Sequence, residues 1–181
     1  MSTGDRDAAF EMLFRSTHER ILAYALRRTD PGEAEDVVAE TFATAWRRFD
    51  AIPPDPLPWL YGVARRTLAN SRRSWRRRAQ LASRLAAELG PSSHLEPDPA
   101  EQLGDAVLMR AALGALKEPD REALMLVAWE GLDNQRASVV LGVSPEAFAV
   151  RLHRARRRLQ AEIDRLMRTW PPGERAPSEE R

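Results

Sequence analysis

Two runs of arginine carry the chemistry that this sequence advertises. Arg65, Arg66, Arg72, Arg73, Arg76, Arg77 and Arg78 fall within residues 65–78, and Arg151, Arg154, Arg156, Arg157 and Arg158 fall within residues 151–158, with no acid inside either run. A guanidinium keeps its charge at any physiological pH and offers a planar fork that matches phosphate oxygens. In the first run Asn70, Ser71 and Trp75 are interleaved, which adds hydrogen-bonding edges and a stacking ring to the charge. That mixture suits a phosphate backbone with bases nearby. The competing reading is a solubilising surface, but such surfaces ordinarily mix both signs. Acids gather elsewhere, at Glu33, Glu35, Asp36 and Glu40, so a net charge of only +1 conceals a segregated chain.

The second arginine run needs a scaffold, and residues 133–159 supply one. Asp133 is an N-cap, Gly142 a helix stop, and Ser144-Pro145 a second N-cap with proline at the first helical position. Helix, tight turn, helix follows. Phe148, Leu152, Ala155 and Leu159 recur at three- and four-residue spacing, a stripe expected to pack on the first helix of the pair. Glu146, Ala149, Val150, His153, Arg154 and Arg157 then face outward. Such a motif, with an arginine-bearing second helix, is the geometry that enters a DNA major groove, although ordinary helical hairpins share the bare pattern.

Upstream, Phe10, Leu13, Phe14, Ile21, Leu22, Ala25 and Leu26 mark a first amphipathic helix. Asp30-Pro31-Gly32-Glu33 reads as a capping box opening a second helix to about Phe49, with Val38, Phe42, Ala45 and Phe49 as its apolar stripe. Asp36, Glu40, Ala43 and Arg47 share another face. Residues 50–58 hold four prolines and are expected to form a stiff loop. A third helix from Pro58 buries Trp59, Leu60, Val63, Ala64 and Leu68 and continues through Leu81, Leu85 and Leu89. Asp98-Pro99-Ala100-Glu101 repeats the capping signature before Leu103, Val107, Leu113 and Leu116. Pro119 opens a further helix burying Leu124, Val127 and Ala128, which closes at Gly131.

The expected fold is therefore all-α, in two small helical domains. Their limits are 1–89 and 100–170, joined by a flexible proline-rich linker at 90–99 and followed by a disordered tail at 171–181. There is no cysteine, and the three histidines, His18, His94 and His153, lie in unrelated segments. No glycine-rich phosphate loop is present, no nucleophile has an adjacent base, and the acidic residues lack the Glu-x-x-His partners of a di-metal bundle. The expectation is no enzyme, with no catalytic residue, metal or cofactor. No apolar stretch has signal-peptide character or bilayer length, so a cytoplasmic protein without membrane insertion is expected.

Three stretches together resemble the extracytoplasmic-function (ECF) sigma factors of bacterial RNA polymerase. AEDVVAETFATAWRRF at 34–49 is similar to the segment called region 2.2, PWLYGVARRTLANSRR at 58–73 to regions 2.3 and 2.4, and REALMLVAWEGLDNQRASVVLGVSPEAFAVRLHRARRRL at 121–159 to region 4. The resemblance implies that the first domain binds the clamp helices of core polymerase and melts the minus-ten promoter element, while the second reads the minus-thirty-five element. Carried over position by position, it makes Asp36, Ala39, Glu40 and Ala43 the core-binding residues. Arg65, Asn70, Arg73 and Arg76 become the minus-ten DNA residues, and Glu146, Ala149, Val150, Arg151, His153 and Arg154 the minus-thirty-five residues. The proline loop corresponds to one that holds an extruded base. Implied partners are bacterial core RNA polymerase, promoter DNA and an anti-sigma factor.

The chain departs from the family at Arg66 (often asparagine), Asn70 (often aspartate), Ala149 (often lysine) and Glu146-Ala147 (often Gly-Thr). These departures bear on the promoter sequence read. Lys117-Glu118-Pro119 also lacks the usual Leu-Pro pair. A helix-turn-helix regulator acting without polymerase is the alternative; it needs a dimerising or ligand-sensing domain at 1–90, where the basic third helix stands. An adaptor or anti-sigma-binding decoy that keeps the fold is a third reading.

Overall fold

Proline and capping side chains set most helix starts in this protein. The structure, a computed structural model, describes residues 3–86 and 104–169, with side chains described over 4–73 and 106–169. The described elements are helices α1 (Thr3–Leu26), α2 (Pro31–Arg47), α3 (Pro56–Ala86), α4 (Gly104–Ala115), α5 (Glu118–Ala128), α6 (Asn134–Leu141) and α7 (Pro145–Thr169), with a short 3-10 turn at Phe49–Ala51 between α2 and α3. No strand occurs among the described residues, in accord with the all-α expectation. Nor is any helix among them long and apolar enough to cross a membrane. The linker at 90–99, the capping box at 98–101, Leu89, His94, Leu103 and the tail at 171–181 lie outside the described residues. So do the side chains of Trp75, Arg76, Arg77, Arg78, Leu81 and Leu85.

In the first unit α1, α2 and α3 pack pairwise. Asp30 starts α2, its carboxylate accepting from the Glu33 N–H at 3.0 Å. The other arm of the expected box goes elsewhere, because the Glu33 carboxylate takes the Thr29 hydroxyl. Val38, Phe42 and Ala45 are buried as expected, but Ala34, Val37 and Thr41 join them and Phe49 is only half-buried in the 3-10 turn. The loop is shorter than expected. Helix α3 begins at Pro56, so both Pro56 and Pro58 sit in its first turn, where an N–H has no intrahelical acceptor to lose. Leu60, Val63, Ala64 and Leu68 are buried, Trp59 half so. On α1 the buried residues are Thr17, Ile21, Tyr24 and Ala25, while Phe14 and Leu26 are exposed. The amino-terminal half of α1 ends in an aromatic edge, where Phe10 meets Trp46, Phe49 and Phe42 edge-on at 5.0, 6.0 and 6.4 Å between ring centroids.

In the second unit α7 packs on α4 and α5. Phe148, Leu152 and Ala155 are buried and Leu159 half-buried, so the stripe is real. Its main partners, however, are α4 and α5 and not α6. The buried face of α5 is also rotated from the expected one: Ala123, Met125 and Leu126 are buried, Leu124 and Val127 half-buried, and Ala128 exposed. Three acids share that buried class, Asp120, Glu122 and Glu130, and an apolarity pattern places acids outside.

The turn between α6 and α7 follows its sequence signals. Asp133 accepts from the Arg136 N–H at 2.8 Å, Ser144 Oγ accepts from the Ala147 N–H at 3.2 Å, and Gly142 lies at φ +64. That left-handed conformation costs an ordinary residue about 1–2 kcal/mol. Gly142→Ala is therefore expected to lower the melting temperature by several degrees, at roughly 4–8 °C per kcal/mol for a small domain. Gly114→Ala is the control, since a Cβ there meets nothing within 4 Å and no positive φ is involved; it is expected to stabilise slightly. Equal melting shifts for the two variants, read by calorimetry, would refute the conformational argument.

Candidate nucleic-acid and protein interfaces

The outward face of α7 divides into two flanks. On one, Ala149, His153 and Arg156 open towards Asn134 and Gln135 in the first turn of α6. On the other, Glu146, Val150, Arg151, Arg154 and Arg158 line a cleft of about 430 Å³ against Asp120 of α5. Glu146, Val150, His153, Arg154 and Arg157 are exposed, whereas Ala149 and Arg151 are half-buried. Asn134 and Gln135 were not singled out from the sequence, though their place just after the Asp133 cap marks them as first-turn residues of the leading helix.

Two residues of this helix already have work inside the protein. Glu146, in the first turn, has its carboxyl held below the usual range by its own backbone N–H and then by the Ser144 hydroxyl. A depressed carboxylate contributes stability above its unfolded pKa and loses it as pH falls, so the helix start weakens in acid. Arg158 forms an ion pair with Asp120, whose side chain is 9% exposed. The arginine run at 151–158 contains no acid in sequence, yet it has one in space.

On α3, Arg65 is half-buried, and Arg66, Asn70, Arg72 and Arg73 are exposed. Arg73 donates to Asn70 Oδ1 at 2.7 Å, which ties together two of the expected minus-ten residues. Arg76 belongs to the same helix, with its side chain outside those described. Arg72 turns away from this set and donates at 2.8 Å to the Arg28 carbonyl, just past the end of α1. Arg28 in turn donates to the Tyr24 carbonyl at 3.0 Å, and its guanidinium lies 3.6 Å from the centroid of the Tyr24 ring. Tyr24 meets Tyr61 of α3 at 4.9 Å, so α1 holds α3 at two points eleven residues apart. Between α2 and α3 lies a cleft of about 640 Å³ with Arg48, Trp59, Arg66, Thr67, Asn70 and Ser71 among its walls. Of these, Arg48 carried no sequence signal, because only the packing of α2 on α3 brings it beside the basic run, whereas Thr67 lies within that run on α3 itself.

The outward face of α2 carries Asp36, Ala39 and Glu40, all exposed, with Ala43 half-buried. Glu40 Oε1 accepts from Arg47 Nη2 at 2.7 Å and from Thr44 Oγ1 at 3.3 Å. The Arg47 hydrogen bond, then the Arg47 charge and then Thr44 hold the Glu40 carboxyl below its usual range. This face is thus acidic at its start and internally compensated one turn later.

Two family models match the chain, Sigma-70 region 2 over residues 13–79 and Sigma-70 region 4 over residues 106–159. The probable RNA polymerase sigma factor RfaY of Xanthomonas campestris pv. campestris is 33% identical over 91% of this chain, although the chain spans only 43% of that protein. The ECF RNA polymerase sigma factor SigL of Mycobacterium tuberculosis is 31% identical, over 88% of this chain and 92% of SigL. Among solved structures, CnrH in complex with the cytosolic domain of CnrY is 30% identical with a TM-score of 0.58, covering 88% of this chain and 90% of that one. Regions 2 and 4 fall on the two helical units that carry the arginine-bearing helices α3 and α7, and with a relative of nearly equal extent the chain belongs to the extracytoplasmic-function group of the sigma-70 family.

Proposed function

We propose that this protein is a cytoplasmic, non-enzymatic sigma factor that binds bacterial core RNA polymerase and directs promoter recognition, melting and transcription initiation. The observation that carries the reading is the joint presence of regions 2 and 4, each containing a helix with an acid-free run of arginines, α3 and α7. In this reading the first domain spans 1–89, the linker 90–99, the second domain 100–170 and the tail 171–181. Asp36, Ala39, Glu40 and Ala43 meet the polymerase clamp. Arg65, Asn70, Arg73 and Arg76 meet the minus-ten DNA; Glu146, Ala149, Val150, Arg151, His153 and Arg154 meet the minus-thirty-five element. An anti-sigma factor is a further partner, a proposal supported by the relative CnrH, which is solved with the cytosolic domain of CnrY. The regulator that acts without polymerase needs a dimerising domain in residues 1–90, and the region 2 match occupies that ground. Reconstitution with purified core polymerase, followed by a search for promoter-specific transcripts, tests the whole reading; their absence would refute it.

Three expectations refine it. Asp36→Arg combined with Glu40→Arg places cations where a basic clamp is to dock, and should weaken retention on core polymerase by roughly 100-fold or more. Both side chains are exposed, so the melting temperature should hardly move; wild-type retention in co-purification would remove the clamp assignment.

On α3, Arg72→Ala should lower stability by roughly 0.5–1 kcal/mol, a charged hydrogen bond discounted for exposure, and leave the salt dependence of holoenzyme binding unchanged. Arg73→Ala should do the reverse, reducing the log–log salt slope by about one unit. A lower slope for Arg72→Ala would make it a phosphate contact after all.

On α7, Arg151→Ala or Arg154→Ala should cost about 1–3 kcal/mol and relax preference at one upstream promoter position. Arg157→Ala should weaken all sequences alike or do nothing. Glu146→Ala should change base preference more than overall affinity. Selection from a randomised upstream element by holoenzyme at two salt concentrations decides among these, and unchanged sequence selection in all four variants would rule out α7 as the reading helix.

A further inference from the structure

We propose that Asp120 and Arg158 form a lock that fixes the seat of α7, so that Arg158 is a positioning residue for promoter reading and not a DNA contact. The inference rests on the sigma-factor reading for what α7 reads, and on the geometry for how α7 is held. Asp120 is the third residue of α5, and its side chain is nearly out of water at 9% exposure. A carboxylate in that position is costly unless a cation faces it. Arg158 Nη1 donates to Asp120 Oδ2, from a side chain still 56% exposed. The first turn of α5 adds a favourable helix dipole to the same carboxylate.

The lock has a role that the rest of the packing does not fill. Phe148, Leu152 and Ala155 hold α7 by apolar burial, which is strong but non-directional and tolerates small rotations and slides. An ion pair on a nearly buried carboxylate is directional, and fixing register is the best-attested use of such charges. Arg151, Arg154 and Arg158 recur at three and four residues along one stripe and line one cleft with Asp120. Fixing the last of the three therefore sets the angle at which the first two leave the helix. Base reading tolerates misplacement of only about 0.5 Å. The contact joins positions 38 residues apart, which is why neither residue signals it in sequence.

Holoenzyme assembled on core polymerase is presented with promoters randomised in the upstream element, at two salt concentrations. Each variant is normalised to its folded, core-bound fraction. Arg158→Ala and Asp120→Asn should each lose about tenfold in discrimination between selected and scrambled elements, the scale of one misplaced base contact, with relaxation at the positions that Arg151→Ala and Arg154→Ala relax and an unchanged salt slope. Arg158→Lys, which keeps the cation, should recover most of the discrimination, as should the charge exchange Asp120→Arg with Arg158→Asp. A general loss of packing would move the melting temperature without producing this pattern or its rescue by lysine. The proposal is overturned if Arg158→Ala lowers the log–log slope by about one unit and relaxes no position, or if Asp120→Asn leaves discrimination intact. A wild-type holoenzyme that selects no upstream sequence would sink the promoter reading and this proposal together. Selection by wild type with unaltered variants would sink this proposal alone.

Discussion

Guanidinium groups crowded on one helix repel one another, and the protein has to present them without letting that repulsion unseat the helix. Two unit charges about 6 Å apart repel by roughly 1–3 kcal/mol across the range from water to a protein surface, screened over about 8 Å at physiological salt. Both arginine-bearing helices tie an arginine to a distant part of the protein. Arg72 is given to the carbonyl of Arg28 beyond the end of α1, and Arg158 to the carboxylate of Asp120 at the start of α5. Each acceptor is negative in character for a different reason, one as a backbone carbonyl just past a helix C-terminus and the other as a formal charge. The remaining arginines keep their repulsion. A polyanion relieves it, which makes the charge density that strains the free protein a source of affinity on DNA.

The parts of this design that are local in sequence could be read there. The Asp30, Asp133 and Ser144 caps act within three residues of themselves, and Gly142 reports a single backbone angle. The α7 stripe at Phe148, Leu152 and Ala155 is a matter of period alone. What could not be read depends on partners far along the chain. The α5 face was expected at Leu124, Val127 and Ala128 because buried Asp120, Glu122 and Glu130 break an apolarity rule. For Asp120 the reason is visible, since Arg158 stands opposite it. The sequence points to a start of α3 at Pro58 because clustered prolines argue against helix in general, while the first turn is the exception that Pro56 and Pro58 both use. The arginine runs had the right charge in sequence but no division of labour, and Arg48 joined the α3 cleft only when α2 packed there.

The acids follow a complementary rule, with consequences for how partners dock. Glu40 is engaged by Arg47 and Thr44, and Glu146 by its own amide and the Ser144 hydroxyl, so neither waits as a bare carboxylate. Both are exposed, and exposed pairs contribute little to stability. Their internal partners are therefore easily given up to a better one. A cationic clamp that takes Glu40 releases Arg47 into solvent at small cost, and a base edge that takes Glu146 gives up only a first-turn bond. Asp120 is the contrast. Its carboxylate is too far from water to change partners cheaply, so the ion pair that holds α7 persists while the exposed acids exchange theirs. Burial thus separates a charge held in place, Asp120, from exposed carboxylates whose partners are exchangeable, which is what the proposed contacts of Glu40 and Glu146 require.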